Sequence, residues 1–253
     1  MIQKRYKCLA LIPARSGSKR IRNKNIRKLG DYPLIAYTIV SAIKSGVFTS
    51  IIVSTDSYEI GKIAQYFGAE VPFLRPKKYA SDVSADIEWV KYTLERLSEE
   101  SKSLESCFSI LRPTSPFRKS ETIQRAWKEF INDGKADSLR GIERCSEHPS
   151  KMWIIDKKRN RMKPLMENPD KSDTPWHSQQ YVSLPKVYRQ NASLEIAWTR
   201  LPLNHNSITG DNIMPFFTDD YEGYDINDEK DWIYAEYLVN SNKVKLPNII
   251  LKH

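Results

Sequence analysis

Apolar positions in the first half of the chain fall into short blocks that alternate between two periods. Lys7–Pro13 (KCLALIP) is a continuous apolar run closed by a proline, which predicts a strand buried on both faces. Pro33–Ser45 carries Leu34, Ile35, Tyr37, Thr38, Ile39 and Ala42 at helical spacing. Pro33 suits the first turn of that helix and Gly46 its stop. Ser50–Thr55 (SIIVST) predicts a β-branched strand, followed by a helix over Ser57–Phe67 that Gly68 ends. Glu70–Leu74 reads as a short strand, Ser84–Leu97 as a helix and Cys107–Leu111 as another buried strand. Ser120–Asp133 is a helix ending before Gly134. Strands alternating with helices of this length imply right-handed βαβ crossovers. The expected fold is α/β and Rossmann-like, with a mainly parallel sheet and helices on both faces.

From about residue 137 the period changes. Asp137–Arg144 and Met152–Ile155 alternate as antiparallel strands do, and Lys157–Arg161 is a charged, hairpin-like turn. Residues 156–186 are polar and carry prolines, Ser193–Thr199 (SLEIAWT) returns as a strand, and Asp228–Asn240 makes a closing helix. There is no internal repeat. The organisation expected is a single domain over 1–253, interrupted by a small β-rich insertion at approximately 140–190.

Composition adds three bounds. No apolar run reaches eighteen residues, and only six apolar residues separate Lys7 from Pro13. Neither a membrane span nor a secretory leader is expected. Cys8, Cys107 and Cys145 have no CxxC spacing. They fit buried thiols in a reducing, cytoplasmic compartment. The net charge of +9 is local, because residues 1–30 hold ten Lys and Arg and no acid. The remaining 223 residues carry 30 basic against 31 acidic side chains. Charge concentrated at one loop suits a small polyanion, whereas a nucleic-acid binder spreads it over a groove-sized face.

That loop follows the first strand, where open α/β sheets bind their ligands. It reads Ala14-Arg15-Ser16-Gly17-Ser18-Lys19-Arg20-Ile21-Arg22-Asn23-Lys24-Asn25. Gly17 and the serines let backbone N–H groups approach phosphate oxygens, and Arg15, Lys19 and Lys24 can neutralise a triphosphate. GxxxxGK[ST] is absent, so this is not a Walker loop. Ser16-x-x-Lys19 matches the S-x-x-K of penicillin-binding enzymes, but no SDN or KTG accompanies it. The residues alone leave open a second reading, a solvated basic loop.

The segments LIPARSGSKRIRNKNIRKLGDYPLIAYTI, IIVSTDSYEI, GAEVPFLRPKKYASD and LRPTSPFR follow one another in an order and spacing that resemble the CMP-sialic acid synthetases and their bacterial legionaminic- and pseudaminic-type relatives. The resemblance runs through residues 8–120 and continues more patchily beyond. It implies attack of the anomeric hydroxyl of a nine-carbon keto-acid on the α-phosphate of CTP, with loss of pyrophosphate. By the same resemblance, Arg15, Ser18, Lys19 and Lys24 hold the triphosphate, with Arg15, Lys19 and Lys24 as the catalytic cations. Asn25 helps bind the nucleoside. Arg75, Ser84 and Asp86 fall at its cytosine-reading pocket, although some relatives have serine where Asp86 stands. Without the motif, Arg75 is an ordinary rim charge.

For the metal, Asp225 and Asn227 share a face and resemble the family's D-x-D, which holds Mg²⁺ against the phosphates. The second carboxylate is an asparagine here, a neutral oxygen ligand. Asp228 fits the N-cap of the last helix. Asp56, with Glu59 three residues on, could be mistaken for a metal ligand but reads better as a capping pair. For the sugar, Arg112 stands where many relatives carry glutamine, and an arginine there can take a carboxylate. Lys151 and Arg189 resemble sugar-carboxylate contacts, and Asn191-Ala192-Ser193 is similar to the legionaminic-type members. The resemblance also implies a homodimer paired through the insertion.

The four histidines are scattered, so zinc is not expected, and Trp153, Trp176, Trp198 and Trp232 read as core or interface. Two alternatives stand beside this reading. One is a nucleotidyltransferase for the eight-carbon acid Kdo or another sugar, and the other a non-catalytic nucleotide- or RNA-binding protein.

Overall fold

The structure, a computed structural model, describes residues 6–101, 104–168 and 174–250. Lys4 and Arg5 of the basic stretch and His253 lie outside them. The chain divides into two compact units: residues 1–141 with 191–253, and residues 142–190.

In the first unit, β1 (Cys8–Pro13) is the strand predicted from the KCLALIP run. A short hairpin, β2 (Lys28–Leu29) and β3 (Tyr32–Pro33), then leads into α1 (Leu34–Ser45), which ends at Gly46 with φ 64°. β4 (Phe48–Ser54), α2 (Tyr58–Tyr66), α3 (Asp86–Ser101), β5 (Cys107–Ile110) and α4 (Ser120–Asp133) follow. The chain leaves this unit along β6 (Ser138–Arg144). It returns along β9 (Tyr188–Trp198), after β7 (Trp153–Asp156) and β8 (Arg161–Pro164) of the second unit. It closes with α5 (Arg200–Asn204), β10 (Ile213–Phe217) and α6 (Glu229–Asn240).

The six-stranded sheet runs β10-β6-β9-β5-β1-β4 and is mixed. β1 pairs in parallel with both β4 and β5, while β5 and β9 are antiparallel. β1 alternates between two cores because successive side chains of a strand point to opposite faces. Cys8, Ala10 and Ile12 pack with residues of α1, α2, α4 and α6. Leu9 and Leu11 pack with Trp89, Val90 and Leu94 of α3 and Leu201 of α5. Helices therefore cover both faces, as expected. The chain steps from β1 to β4 on one side and later to β5 on the other. That reversal opens a crevice beyond the carboxyl end of β1.

Several boundaries differ from the pattern reading, each for a local reason. The expected strand at Glu70–Leu74 reduces to a single bridge between Glu70 and Ile52, since Pro72 can donate nothing to a ladder. α3 starts at Asp86 rather than Ser84, because the Ser84 hydroxyl is tied to Lys78 O and Ser81 in the preceding turn. Asp56 is not the cap of α2. Ser57 caps it, accepting from Ile60 N, and Asp56 turns toward the basic loop instead. β10 was not expected, and its Pro215 explains why; the strand lies at the sheet edge, where a missing N–H is tolerated.

In the second unit, β7 and β8 form the antiparallel hairpin expected around the charged turn, with Trp153 opposite Pro164 and Asp156 opposite Arg161. His148 caps a short turn through Ser150 N and meets Pro185 O at 2.8 Å. No described helix is long and apolar enough to cross a membrane.

Two glycines separate backbone strain from steric crowding. Gly134 and Gly210 both have left-handed φ, at 68° and 70°. A Cβ at Gly134 meets nothing within 4 Å, whereas one at Gly210 would lie 2.4 Å from the Asp137 Cβ. Gly134→Ala should therefore cost about 1 kcal/mol for the left-handed backbone alone. Gly210→Ala should cost roughly 2–4 kcal/mol, because the Asp137 main chain must also shift. Urea denaturation of the two variants checks the ordering.

Candidate active site

The loop after β1 is held from outside itself. Ser16 donates both its backbone N–H and its hydroxyl to Asp56, at 2.8 Å each, so the end of β4 fixes the start of the loop. Asn23 takes a left-handed φ of 54° and turns the chain into the short helical turn Lys24–Ile26. Asn25 is buried there and donates its amide to Arg15 O at 3.1 Å, closing the loop on itself.

Two adjoining clefts open at this loop. One, of about 240 Å³, is lined by Arg15, Ser18, Lys24, Asn25, Arg75, Tyr79, Ser84, Asp86, Trp89, Arg112 and Thr114 among others. The second, of about 350 Å³, is lined by Arg15, Ser18, Lys19, Arg20, Lys24, Asp82 and Asn227. Arg15, Ser18, Lys24 and Asp82 border both, so the clefts meet at the loop. Together they have the capacity of a nucleotide-sized ligand site.

The deeper cleft is built on buried polar groups. Arg75 donates from Nε to Ser54 Oγ at 2.9 Å and from its NH2 group to Ser54 O at 2.7 Å. Its guanidinium lies 4.7 Å from the centroid of the Trp89 ring. Burial draws the Arg75 pKa down to about 10, so the group is still a cation at neutral pH. Far from an ordinary rim charge, Arg75 is 5% exposed. Asp86, the first residue of α3, accepts from Trp89 Nε1 at 2.8 Å and from Arg112 at 2.6 Å. Burial raises its pKa, but the Arg112 charge and hydrogen bond, the Trp89 N–H and Arg75 outweigh that and hold it below the usual carboxylate value. Ser84 lines the cleft, but its hydroxyl is engaged with Ser81 and Lys78 O in the turn before α3.

At the second cleft, Lys24 donates to Ile226 O at 2.9 Å, which ties the loop to the segment before α6. Ile226 N in turn donates to Thr114 O at 2.9 Å, at the end of the β5 loop. Burial lowers the Lys24 pKa, opposed chiefly by the charge of Asp225. Asp225 Oδ2 accepts from Asn227 Nδ2 at 2.8 Å, while its Oδ1 is buried without any partner. An orphaned carboxylate oxygen beside a cation-rich cleft fits a Mg²⁺ held mainly by substrate phosphates and water. It does not fit an all-protein cage. Among the described residues no three His, Cys, Asp or Glu cluster as metal ligands. For Asn227 to lend its carbonyl, the amide must turn over, an assignment that hydrogen bonding alone decides.

The sugar candidates fare unevenly. Arg112 was expected to be free for a carboxylate, but its NH2 group already bonds Asp86 and, at 2.9 Å, Glu195. It belongs to the floor of the deeper cleft. Asn191 is buried at 7% exposure and braces β9, donating to Thr218 Oγ1 and accepting from Ser193 N. In the second unit Lys151 donates to His177 O and Gln179 O at 3.0 and 2.6 Å, and Arg189 pairs with Glu143.

The pattern reading missed Asp82, Trp89 and Glu195. Asp82 carries the one available signal: ten cations without an acid in residues 1–30 need carboxylates from elsewhere, and Ala80-Ser81-Asp82 follows the Arg75 motif directly.

A Rossmann-like sheet with a basic loop and a buried polar pocket beyond its strand ends fits a nucleotide-handling enzyme, and the family match makes the class a nucleotidyltransferase. A cytidylyltransferase family profile matches residues 9–208, and the chain belongs to that family. It is 35% identical over 239 residues to a CMP-N,N'-diacetyllegionaminic acid synthase of Legionella pneumophila, covering 94% of this chain and 98% of the relative. It is 41% identical over 148 residues to an N-acylneuraminate cytidylyltransferase of Escherichia coli, covering 58% of this chain and 34% of that protein. The fold is similar to that of a CMP:2-keto-3-deoxy-manno-octonic acid synthetase complexed with CTP. That match has a TM-score of 0.68 at 12% identity and covers 93% of this chain and 99% of the other.

The Asp86–Arg112 pair makes stability depend on pH with a definite sign. A carboxyl whose folded pKa is depressed stabilises the fold above its unfolded value, about 3.9, and loses that contribution as pH falls through the folded value. Asp86→Asn should destabilise by about 1–3 kcal/mol at pH 7, and by less at each step below about pH 4. Urea midpoints of both proteins across that range test it; a constant difference would put the loss down to packing.

Proposed function

We propose that the protein transfers CMP from CTP to the anomeric hydroxyl of a nine-carbon acidic keto-sugar of the legionaminic or sialic type, releasing pyrophosphate. The observation that carries this reading is the meeting, at Arg15 and Lys24, of a cation-lined cleft with a deeper cleft floored by Arg75, Asp86 and Trp89. A triphosphate and a base need two such environments side by side. The acid is chosen from the relatives: identity to the Legionella pneumophila synthase runs the length of both chains.

On this reading Arg15, Ser18 and Lys19 hold the triphosphate, and Lys24 faces the charge that grows on the bridging oxygen. The sugar hydroxyl forms the new bond to the α-phosphorus as the bond to the β-phosphate oxygen breaks. Positioning and charge neutralisation supply most of the rate in such a displacement. Mg²⁺, held by Asp225 and the Asn227 carbonyl, would neutralise phosphate charge when bound. Lys151 and Arg189 are the proposed contacts for the sugar carboxylate.

The apolar face of the β7–β8 hairpin supports a homodimer paired through the second unit. Trp153, Ile155 and Met162 share that face and are exposed. Three buried free thiols support a reducing, cytoplasmic setting.

A pyrophosphate-release assay with each nucleoside triphosphate, Mg²⁺ and a panel of eight- and nine-carbon keto-acids tests the proposal. Release should require CTP and a nine-carbon acid, and Lys19→Ala or Lys24→Ala should lower kcat/KM by roughly 100-fold. No release with any pair would reduce the site to nucleotide binding.

The metal reading has its own test. Asp225→Ala should abolish transfer at ordinary Mg²⁺, and Asn227→Asp should lower the Mg²⁺ needed for half-maximal rate, since it adds a charged ligand. An unchanged Mg²⁺ requirement in Asn227→Asp would mean that residue 227 faces away from the ion.

A further inference from the structure

Asp82 is the feature that the proposed reaction does not use. It stands in the turn before α3, and its two oxygens take the two cations offered to the triphosphate: Oδ1 meets Arg15 at 2.6 Å and Oδ2 meets Lys19 at 2.5 Å. Lys19 is otherwise 81% exposed, so the pairing is not a by-product of burial. The hydrogen bonds from Lys19 and Arg15 hold the Asp82 carboxyl below its usual range, which keeps it charged at neutral pH.

We propose that Asp82 is an internal competitor for the phosphate site, a carboxylate that any phosphate chain must displace and that returns when pyrophosphate leaves. The geometry permits the exchange without unfolding the turn. Arg15 is separately hooked to Ala80 O at 3.4 Å, and the Ser81–Ser84 hydroxyl pair at 2.7 Å holds the turn independently of Asp82. Only the Asp82 side chain has to rotate away. The cost is the same for every ligand that takes both cations, and is absent for one that takes neither. Asp82 therefore discriminates between the two kinds of ligand. It weakens the hold on pyrophosphate, the product, as much as on the incoming triphosphate; it also borders the base pocket, but its ion pairs are to Arg15 and Lys19 and not to Arg75, Asp86 or Trp89.

This inference rests on the triphosphate reading of the loop, but its test needs no turnover. Isothermal titration without metal, using inorganic triphosphate, pyrophosphate and cytidine, compares the wild type with Asp82→Asn and Asp82→Glu. Asp82→Asn should bind triphosphate and pyrophosphate about 3- to 10-fold more tightly, the scale of two partly exposed ion pairs released. Cytidine affinity should not change, and Asp82→Glu, which restores the charge, should return most of the weaker phosphate binding. Unchanged or weaker phosphate binding by Asp82→Asn overturns the proposal, and weaker binding restored by Mg²⁺ would make Asp82 a metal ligand instead. Failure of the cytidylyltransferase reading looks different: phosphate binding would strengthen in Asp82→Asn while cytidine bound to neither protein.

Discussion

The loop that follows β1 cannot balance its own charge, and the site depends on how that is resolved. Residues 1–30 contain no carboxylate, so every negative partner arrives from a distant segment. Asp56 at the end of β4 takes Ser16, Asp82 before α3 takes Arg15 and Lys19, and Glu229 at the start of α6 takes Arg27 at 2.7 Å. Arg27 also lies 4.2 Å from the Trp232 ring centroid, so its guanidinium is stacked as well as paired. These ties converge because β1 lies between β4 and β5, with the loops after all three strands at one end of the sheet. Topology supplies the concentration of positive charge, and remote acids hold the loop in place.

Beneath the loop the same problem recurs out of water. Arg75, Arg118 and Arg140 are each less than a tenth exposed. Arg140 and Arg112 share Glu195, and Arg112 also holds Asp86, giving a chain of alternating charge from β6 to the cleft floor. Arg118 has no carboxylate partner among the described residues. It donates instead to Arg112 O, Ser193 O and Thr38 Oγ1, and burial pulls its pKa to about 9. A cation solvated by carbonyls joins α1, the β5 loop and β9 at one point, more rigidly than an apolar side chain of that size could. Buried ion pairs add little net stability, but removing one partner is expensive. The network therefore specifies geometry: it keeps Asp86 ionised and in place.

Periodicity carried the alternating half of the fold well, because β1, α1 and α4 bury continuous or strictly periodic apolar surface. It failed where burial is one-sided or interrupted, as at β10 with its proline and at Glu70–Leu74. The site was legible as a set of residues and less so as a set of roles. Arg15, Lys24, Asn25, Arg75 and Asp86 do share a cleft. Yet Arg112 and Asn191, assigned outward roles, are consumed by internal partners that no linear pattern reveals. Glu195 is hidden for the same reason. In SLEIAWT it reads as an inward-pointing misfit on a strand, and only the packing of β5 against β9 brings Arg112 to it.

The segment Tyr224–Asp231 shows how structure narrows a choice that composition leaves open. It offers Asp225, Asp228, Glu229 and Asp231 as carboxylates, any of which could serve a cation. Asp228 caps α6, accepting from Lys230 N and Asp231 N. Asp231 accepts from Asn227 N and Asp228 N, completing the capping box. Glu229 is committed to Arg27. Each of these has at least one oxygen bound by donors whose loss would fray the helix or release the loop. Asp225 alone keeps a buried oxygen with no partner, next to the lysine whose charge it partly offsets. Asn227, neutral and bonded to Asp225, satisfies the other oxygen without adding charge. A second carboxylate at 227 would face Asp225 with nothing between them in the absence of a cation. The asparagine thus lets the segment fold without the repulsion of two facing carboxylates.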